Sequence, residues 1–185
     1  MPQIFQRSAN TLSKLSLAGL LIVVGSLIFT AILVARSNYV TRAHEYVEQP
    51  VQFSHRHHVK DDGIDCRYCH TSVETSPFAG IPPTKACMNC HSQIWQTAPI
   101  LEPVRASFRE DKPLHWTRVH DLPDFVFFNH STHVNAKAAC AECHGPVEQR
   151  ETLSAEVTHN MKTCMACHLA RGASNKCHVC HELGQ

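Results

Sequence analysis

Ten cysteines stand at positions 66 and 69, 87 and 90, 140 and 143, 164 and 167, and 177 and 180. A histidine follows every pair at once, giving CRYCH, CMNCH, CAECH, CMACH and CHVCH. A zinc site accounts for C-x-x-C pairs but not for an adjacent histidine each time. A disulfide framework explains an even cysteine count and nothing about the histidines. C-x-x-C-H is the attachment signature of c-type haem: two thiols bracketing two residues reach the two vinyl groups on one edge of the macrocycle, which holds the next histidine under the iron. The cofactor-binding residues are therefore Cys66, Cys69, Cys87, Cys90, Cys140, Cys143, Cys164, Cys167, Cys177 and Cys180, with His70, His91, His144, His168 and His181 as proximal ligands of five haems c numbered in chain order. No cysteine is left over for catalysis, an iron-sulfur cluster or a structural bridge.

Ten of the fifteen histidines remain, enough to close the far side of five irons. Imidazole on both faces closes an iron to small molecules and favours electron transfer over oxygen chemistry. Four of these histidines lie in a repeated phrase. FSHRHHVKDDGIDCRYCH at 53 and FNHSTHVNAKAACAECH at 128 share F-x-H-x-x-H-V, followed after six or five residues by C-x-x-C-H, and each leads to a second motif, KACMNCH or KTCMACH. His120, in RVHDLPD between the two copies, is the next distal candidate, while Met161 and His159 compete as local ligands ahead of Cys164. A methionine ligand there would raise the potential of its haem; its bland alternative is ordinary packing. His57, between two stronger candidates, reads as solvated, and His178 as a spacer inside an attachment loop.

These pieces order the chain. Residues 15–35 carry no charge, and 21 residues span roughly 31 Å as a helix, enough for a hydrocarbon core of about 30 Å. A cleaved leader has a shorter apolar stretch of about 7 to 15 residues and an A-x-A-like site, which AILVARSNYV does not offer. The expected organisation is an N-terminal segment 1–14, a transmembrane helix 15–35, a linker 36–50, a dihaem module 51–91, an intermodule segment 92–125 whose ILEPVRASF forms a short helix, a second dihaem module 126–168, and a fifth haem site in 169–185. Arg7 and Lys14 before the span against Arg36 and Arg42 after it orient it weakly. Attachment of c-type haem on the outer face of the bacterial plasma membrane puts the N-terminus in the cytoplasm and the haem domain in the periplasm.

About 150 residues for five haems leave little for a core of packed elements, so the porphyrins have to supply much of the buried apolar mass. The expected fold class is a multihaem cytochrome c, mostly short helices and loops wrapped round the haems plus the membrane helix, with Trp95, Trp116, Phe125, Phe127 and Phe128 packed on porphyrin edges. The formal net charge of +1 says little about partners, because five haems would add about ten propionate groups, but no basic cluster suited to nucleic acid is present.

The F-x-H-x-x-H-V phrase resembles the pattern in cytochromes of the c3 type (class III), where the first histidine ligates the haem bound just downstream and the second a different one. By that resemblance His55 serves haem 1 and His130 haem 3, while His58 and His133 reach across to others, the second and the fourth or fifth. Over residues 1 to about 145 the chain also resembles the pentahaem, single-span cytochrome c subunit of alternative complex III. The resemblance rests on PVQFSHRHHVKDDGIDCRYCHTSVETSPFAGIPPTKACMNCHSQIW, ILEPVRASFR and PLHWTRVHDLPDFVFFNHSTHV. It implies a non-catalytic haem wire in a quinol-oxidising membrane complex. The implied partners are an iron-sulfur subunit, multi-span quinol-binding subunits and a small cytochrome c, with electrons leaving to a periplasmic carrier or terminal oxidase. The competing functions are a stand-alone membrane-anchored quinol dehydrogenase feeding a periplasmic reductase, and a multihaem reductase of a small nitrogen or sulfur species.

Overall fold

The computed structural model describes residues 6 and 8–181, and the chain divides into two compact units, Met1–Arg42 and Ala43–Gln185. Arg7, one of the charges flanking the apolar segment, and residues 182–185 lie outside the described residues.

The first unit holds α1 (Ala9–Ala35) and α2 (Asn38–Thr41). Neither proline nor glycine interrupts Ala9–Lys14, so α1 starts six residues before the uncharged stretch and takes in Lys14. Its 27 residues extend roughly 40 Å at about 1.5 Å per residue. None of them is buried, so this helix is long and apolar enough to cross a membrane.

The second unit is built from short helices: α3 (Cys66–Cys69), α4 (Thr84–His91), α5 (Glu102–Glu110), α6 (His130–Asn135), α7 (Cys140–His144), α8 (Met161–Ala170) and α9 (Cys177–Cys180). The described residues form no strand, only isolated bridges between Ala43 and Ala155 and between Tyr46 and Ser154. The expected helix in ILEPVRASF runs from a 3-10 turn, Pro99–Leu101, into α5, with Pro103 in the first turn where its missing N–H costs nothing. It packs on α4. Val51, Leu101 and Val104 form the buried cluster, flanked by Cys87, Met88, Leu114 and Trp116, and Thr84 Oγ1 meets Ser107 Oγ at 2.7 Å. The segment between the modules is therefore a buttress for the second attachment helix.

The two copies of F-x-H-x-x-H-V differ by one residue in their spacing to the cysteines, and the backbone absorbs it. In the second copy the segment is α6, capped by Asn129 accepting from Thr132 N. In the first it is a π-helical turn, Arg56–Asp61, in which Asp62 N donates to His57 O five residues back at 3.0 Å. A π turn accommodates one extra residue in a helical path, and His55 and His58 thereby keep the placement of His130 and His133.

Candidate functional site

All five C-x-x-C pairs lie on helices, α3, α4, α7, α8 and α9. Residues three apart on a helix share a face, so each pair presents two thiols side by side. The starts are fixed locally: Asp65 accepts from Arg67 N at 2.8 Å ahead of Cys66, and Asn160 and Thr163 exchange two 3.0 Å bonds ahead of Cys164. All ten thiols are free. Among the described residues no three His, Cys, Asp or Glu side chains converge on a point that could hold a metal ion.

Six of the nine histidines singled out as proximal or probable first-choice distal partners in the two modules and at the fifth site have Nδ1 within 2.6 to 3.0 Å of a backbone carbonyl: His58 to Ser54, His70 to Gly80, His130 to Pro77, His133 to Asn129, His168 to Ser174 and His181 to Phe125. A carbonyl accepts only, so Nδ1 carries the proton and Nε2 keeps its lone pair. A metal-ligating imidazole is held in this way, one ring nitrogen bonded to a carbonyl and the other left with its lone pair for the metal. Gly80 supplies its carbonyl from φ +74°, and a Cβ there would sit 2.8 Å from Ser72 Oγ.

Three pairs of these histidines have the ring separation that ligation of one metal from opposite sides would need. Two imidazoles on opposite sides of one metal have centroids roughly 6 Å apart, from two metal–nitrogen bonds of about 2 Å and about 1 Å from each nitrogen to its ring centre. His58 and His91 are 6.2 Å apart, His133 and His168 6.0 Å, and His130 and His144 6.3 Å. Each module builds the pair alike: Phe53 stacks on His58 at 4.3 Å and meets His55 edge-on at 4.8 Å, while Phe128 stacks on His133 at 4.3 Å and meets His130 edge-on at 4.9 Å. His55 is half-buried near His70 and His58, and desolvation first, then these neighbours, pushes its pKa down to about 4.

His144 has further company. His120 touches its ring at 4.5 Å, too close for a metal between them, and His159 lies 6.3 Å from His144 and 5.6 Å from His120. Burial, followed by these histidines and His130, pushes His144 down to about 4. Burial and His159 also lower His120, and burial lowers His159 against a raising backbone hydrogen bond at Cys143. Neutral imidazole is the ligating form. His120 Nε2 is buried without a hydrogen-bond partner, as are His55 Nδ1 and His91 Nδ1. Met161, by contrast, opens α8 with 67% of its surface exposed. His57 is exposed, 3.5 Å from Asp62 and stacked on Trp95 at 5.8 Å.

The residues fit haem on a second count. The described part has no large side chain that is fully buried, and only Ala43, Val51, Leu101 and Val104 form its apolar core. Phe78, Phe125, Phe127, Trp95 and Tyr68 are half-exposed or more, so the protein alone offers too little burial for a stable domain of this size. Of the aromatics expected on porphyrin edges, Trp116 packs on the small core and Phe125 on His181 at 5.9 Å. The carbonyl acceptors Ser54, Pro77, Gly80, Ser174 and Phe125 carry no side-chain signal and were invisible in the sequence. The ring on each His-x-x-His pair was visible as the Phe of the repeat.

Two comparisons bear on this geometry. Residues 126–182 match the family described as cytochrome c7 and related cytochrome c. Over 162 residues the chain is 32% identical to the "menaquinone reductase, multiheme cytochrome c subunit" of Nitratidesulfovibrio vulgaris, a match covering 73% of this chain and 77% of that protein.

Proposed function

The chain belongs to the family of multihaem cytochrome c subunits that includes this menaquinone reductase subunit, and from that premise we propose that it carries five haems c and serves as the electron-transfer wire of a membrane quinone-linked complex. Bound haem supplies one-electron Fe(III)/Fe(II) chemistry. What the chain supplies is attachment, axial ligation and spacing. The cysteine pairs anchor the five groups, and His70, His91, His144, His168 and His181 ligate from the near side. On the far side stand His55 for haem 1, His58 for haem 2, His130 for haem 3 and His133 for haem 4, with His120 and His159 preferred over the exposed Met161 for the remaining position. The observation that carries this is the approach of His58 to His91 at 6.2 Å and of His133 to His168 at 6.0 Å in the two modules.

α1 anchors the chain with its N-terminus in the cytoplasm and the haem domain in the periplasm. The complex is of the alternative complex III kind, oxidising quinol and delivering electrons to a periplasmic carrier or oxidase through iron-sulfur, multi-span and small cytochrome partners. The reading rests on the non-haem segments ILEPVRASFR and PLHWTRVHDLPDFVFF. A second reading, electron flow towards menaquinone, is favoured by the name of the relative.

Gentle detergent extraction of the full chain with whatever accompanies it tests both. Five haems per chain by the pyridine haemochrome spectrum, low-spin signals alone, and co-purification with iron-sulfur and multi-span subunits are expected. A chain that runs alone and oxidises menaquinol analogues unaided would sink the wire in favour of a stand-alone dehydrogenase. Turnover of the complex with quinol and oxidised carrier, against reduction of menaquinone by reduced carrier, separates the two directions.

A further inference from the structure

His120 is half-buried, and its Nε2 is enclosed without a hydrogen-bond partner. The segment that carries it, between the modules, is fixed on both sides of this ring. Gln49 donates from Nε2 to Thr117 O at 2.8 Å and accepts at Oε1 from Thr117 N at 2.9 Å, its amide pairing with the backbone as a strand would. Arg118 reaches past His120 to Asp121 at 2.7 Å. The ring held there meets that of His144 edge-on at 4.5 Å, with the planes at 90°.

On the ligation proposed above, no iron of the two modules is left for it. His130 occupies the far side of haem 3, its ring at 5° to that of His144, and His55, His58 and His133 fill the far sides of haems 1, 2 and 4. For haem 5 His159 is better prepared, because a hydrogen bond to the backbone at Cys143 fixes one ring nitrogen and leaves the other free. The vacancy that His120 fits lies beside His144. Nδ1 of His70, of His168 and of His181 donates to a backbone carbonyl, and among the described residues His144 has no such acceptor. A ring nitrogen stands about 1 Å from its ring centre, so nitrogens on the two touching edges come within roughly 2.5 to 3.5 Å, the range of an N–H···N bond.

We propose that His120 is a positioning residue for haem 3, its imidazole nitrogen accepting the Nδ1–H of His144 where His70, His168 and His181 use a carbonyl. The proposal rests on the wire reading above. A neutral imidazole has one donor and one acceptor nitrogen, and the acceptor is a stronger base than an amide oxygen. It draws the Nδ1 proton of His144 further from the ring, makes Nε2 a better donor to iron, and so favours Fe(III) over Fe(II). The haem still exchanges one electron with its neighbours, Fe(III) taking it up to become Fe(II), and the shared proton stays on His144 Nδ1. One haem of the five is thereby set lower in potential than its two axial imidazoles alone would put it, by a residue with no bond to iron.

The test is a spectroelectrochemical titration of the full chain in detergent with two variants: His120→Leu, which fills the space without an acceptor, and His120→Gln, which offers a carbonyl acceptor. In His120→Leu every haem is expected to stay low-spin while one of the five gains about tenfold in its reduced-to-oxidised ratio at fixed potential, the low end for loss of an outer-shell partner and about 59 mV for one electron. His120→Gln should recover most of that shift. In a His130→Ala background haem 3 is the high-spin haem and is read on its own, so there the shift should fall on the high-spin signal. A new high-spin haem in His120→Leu would make His120 an iron ligand and overturn the proposal. Potentials unchanged in both variants, moved equally by both, or shifted only in low-spin haems of the His130→Ala background would overturn it too. A wild-type chain lacking low-spin haem in its absorption spectrum would instead defeat the functional reading.

Discussion

His57 and His58 are neighbours in sequence and are expected to behave oppositely when removed. His58 is half-buried, stacked on Phe53, bonded through Nδ1 to Ser54 O at 2.8 Å and 6.2 Å from His91. His57 is exposed and makes only an ion pair of 3.5 Å and ring contacts. His58→Ala is expected to convert haem 2 alone to high spin, which with five attachment motifs is one fifth of the low-spin signal. It also removes one neutral hydrogen bond, about 0.5 to 1.5 kcal/mol, and one stacked ring pair, about 0.5 to 1.5 kcal/mol. The fall in stability beyond the lost iron bond is therefore about 1 to 3 kcal/mol. His57→Ala should leave the spin state untouched. Low-temperature EPR and the near-infrared charge-transfer band read the spin state, and denaturant titration of the holoprotein reads the stability. A high-spin signal in His57→Ala, or an all-low-spin His58→Ala, would refute the reasoning from ring separation.

Two further outcomes follow from local geometry. Gly80→Ala puts a Cβ at φ +74° and 2.8 Å from Ser72 Oγ, costing about 1 to 2 kcal/mol of backbone strain; because Gly80 O holds His70 Nδ1, the spectral perturbation should fall on haem 1, and a shift confined to another haem would count against that hydrogen bond. Hydrogen bonds from Arg109 and then Arg105 hold the Glu102 carboxyl below its ordinary 4.5, so this pair stabilises α5 above that pH and the benefit fades as pH falls through the lowered value; the difference in Tm between wild type and Glu102→Gln should be present at pH 7 and close below pH 4.5, and a difference that grows on acidification would reverse the sign.

What the sequence made legible was the chemistry written in short range. Covalent attachment needs two thiols and a histidine within five residues, so the motifs could be read one at a time, and each does fall on its own short helix. The helix after Pro99 was legible from its proline and apolar spacing, as was the apolar α1, although not its six extra residues. The repeat of Phe, His and His was legible too, but not why it survives an inserted residue, because a π-helical turn leaves no composition signal. Least legible was the docking of the modules. It runs through backbone carbonyls such as Pro77 O and Arg150 O, 53 residues from His130 in the first case and near a hundred from Arg56 in the second, and nothing in a side-chain pattern marks them. Nor could spacing reveal that His120 lies against His144.

Because the segments proposed to provide distal imidazoles also carry bonds between the modules, ligation and docking would share residues, and this has a measurable consequence. The His130 ring donates to Pro77 across the contact while facing His144; His55 sits next to Arg56, whose amide holds Arg150 on the reciprocal side. Distant and independent sites add within about 0.3 to 0.5 kcal/mol, whereas sites sharing one interface deviate by about 0.5 to 3 kcal/mol. Once His130→Ala has loosened one half of a reciprocal contact, the other half has less left to hold. His55→Ala in that background should therefore cost less than it does in the wild type, giving a coupling of about 0.5 to 3 kcal/mol in a double-mutant cycle read by denaturant unfolding of the holoprotein. Additive losses would mean that the two segments act separately, and that the reciprocal bonds between the modules contribute little to holding the modules together.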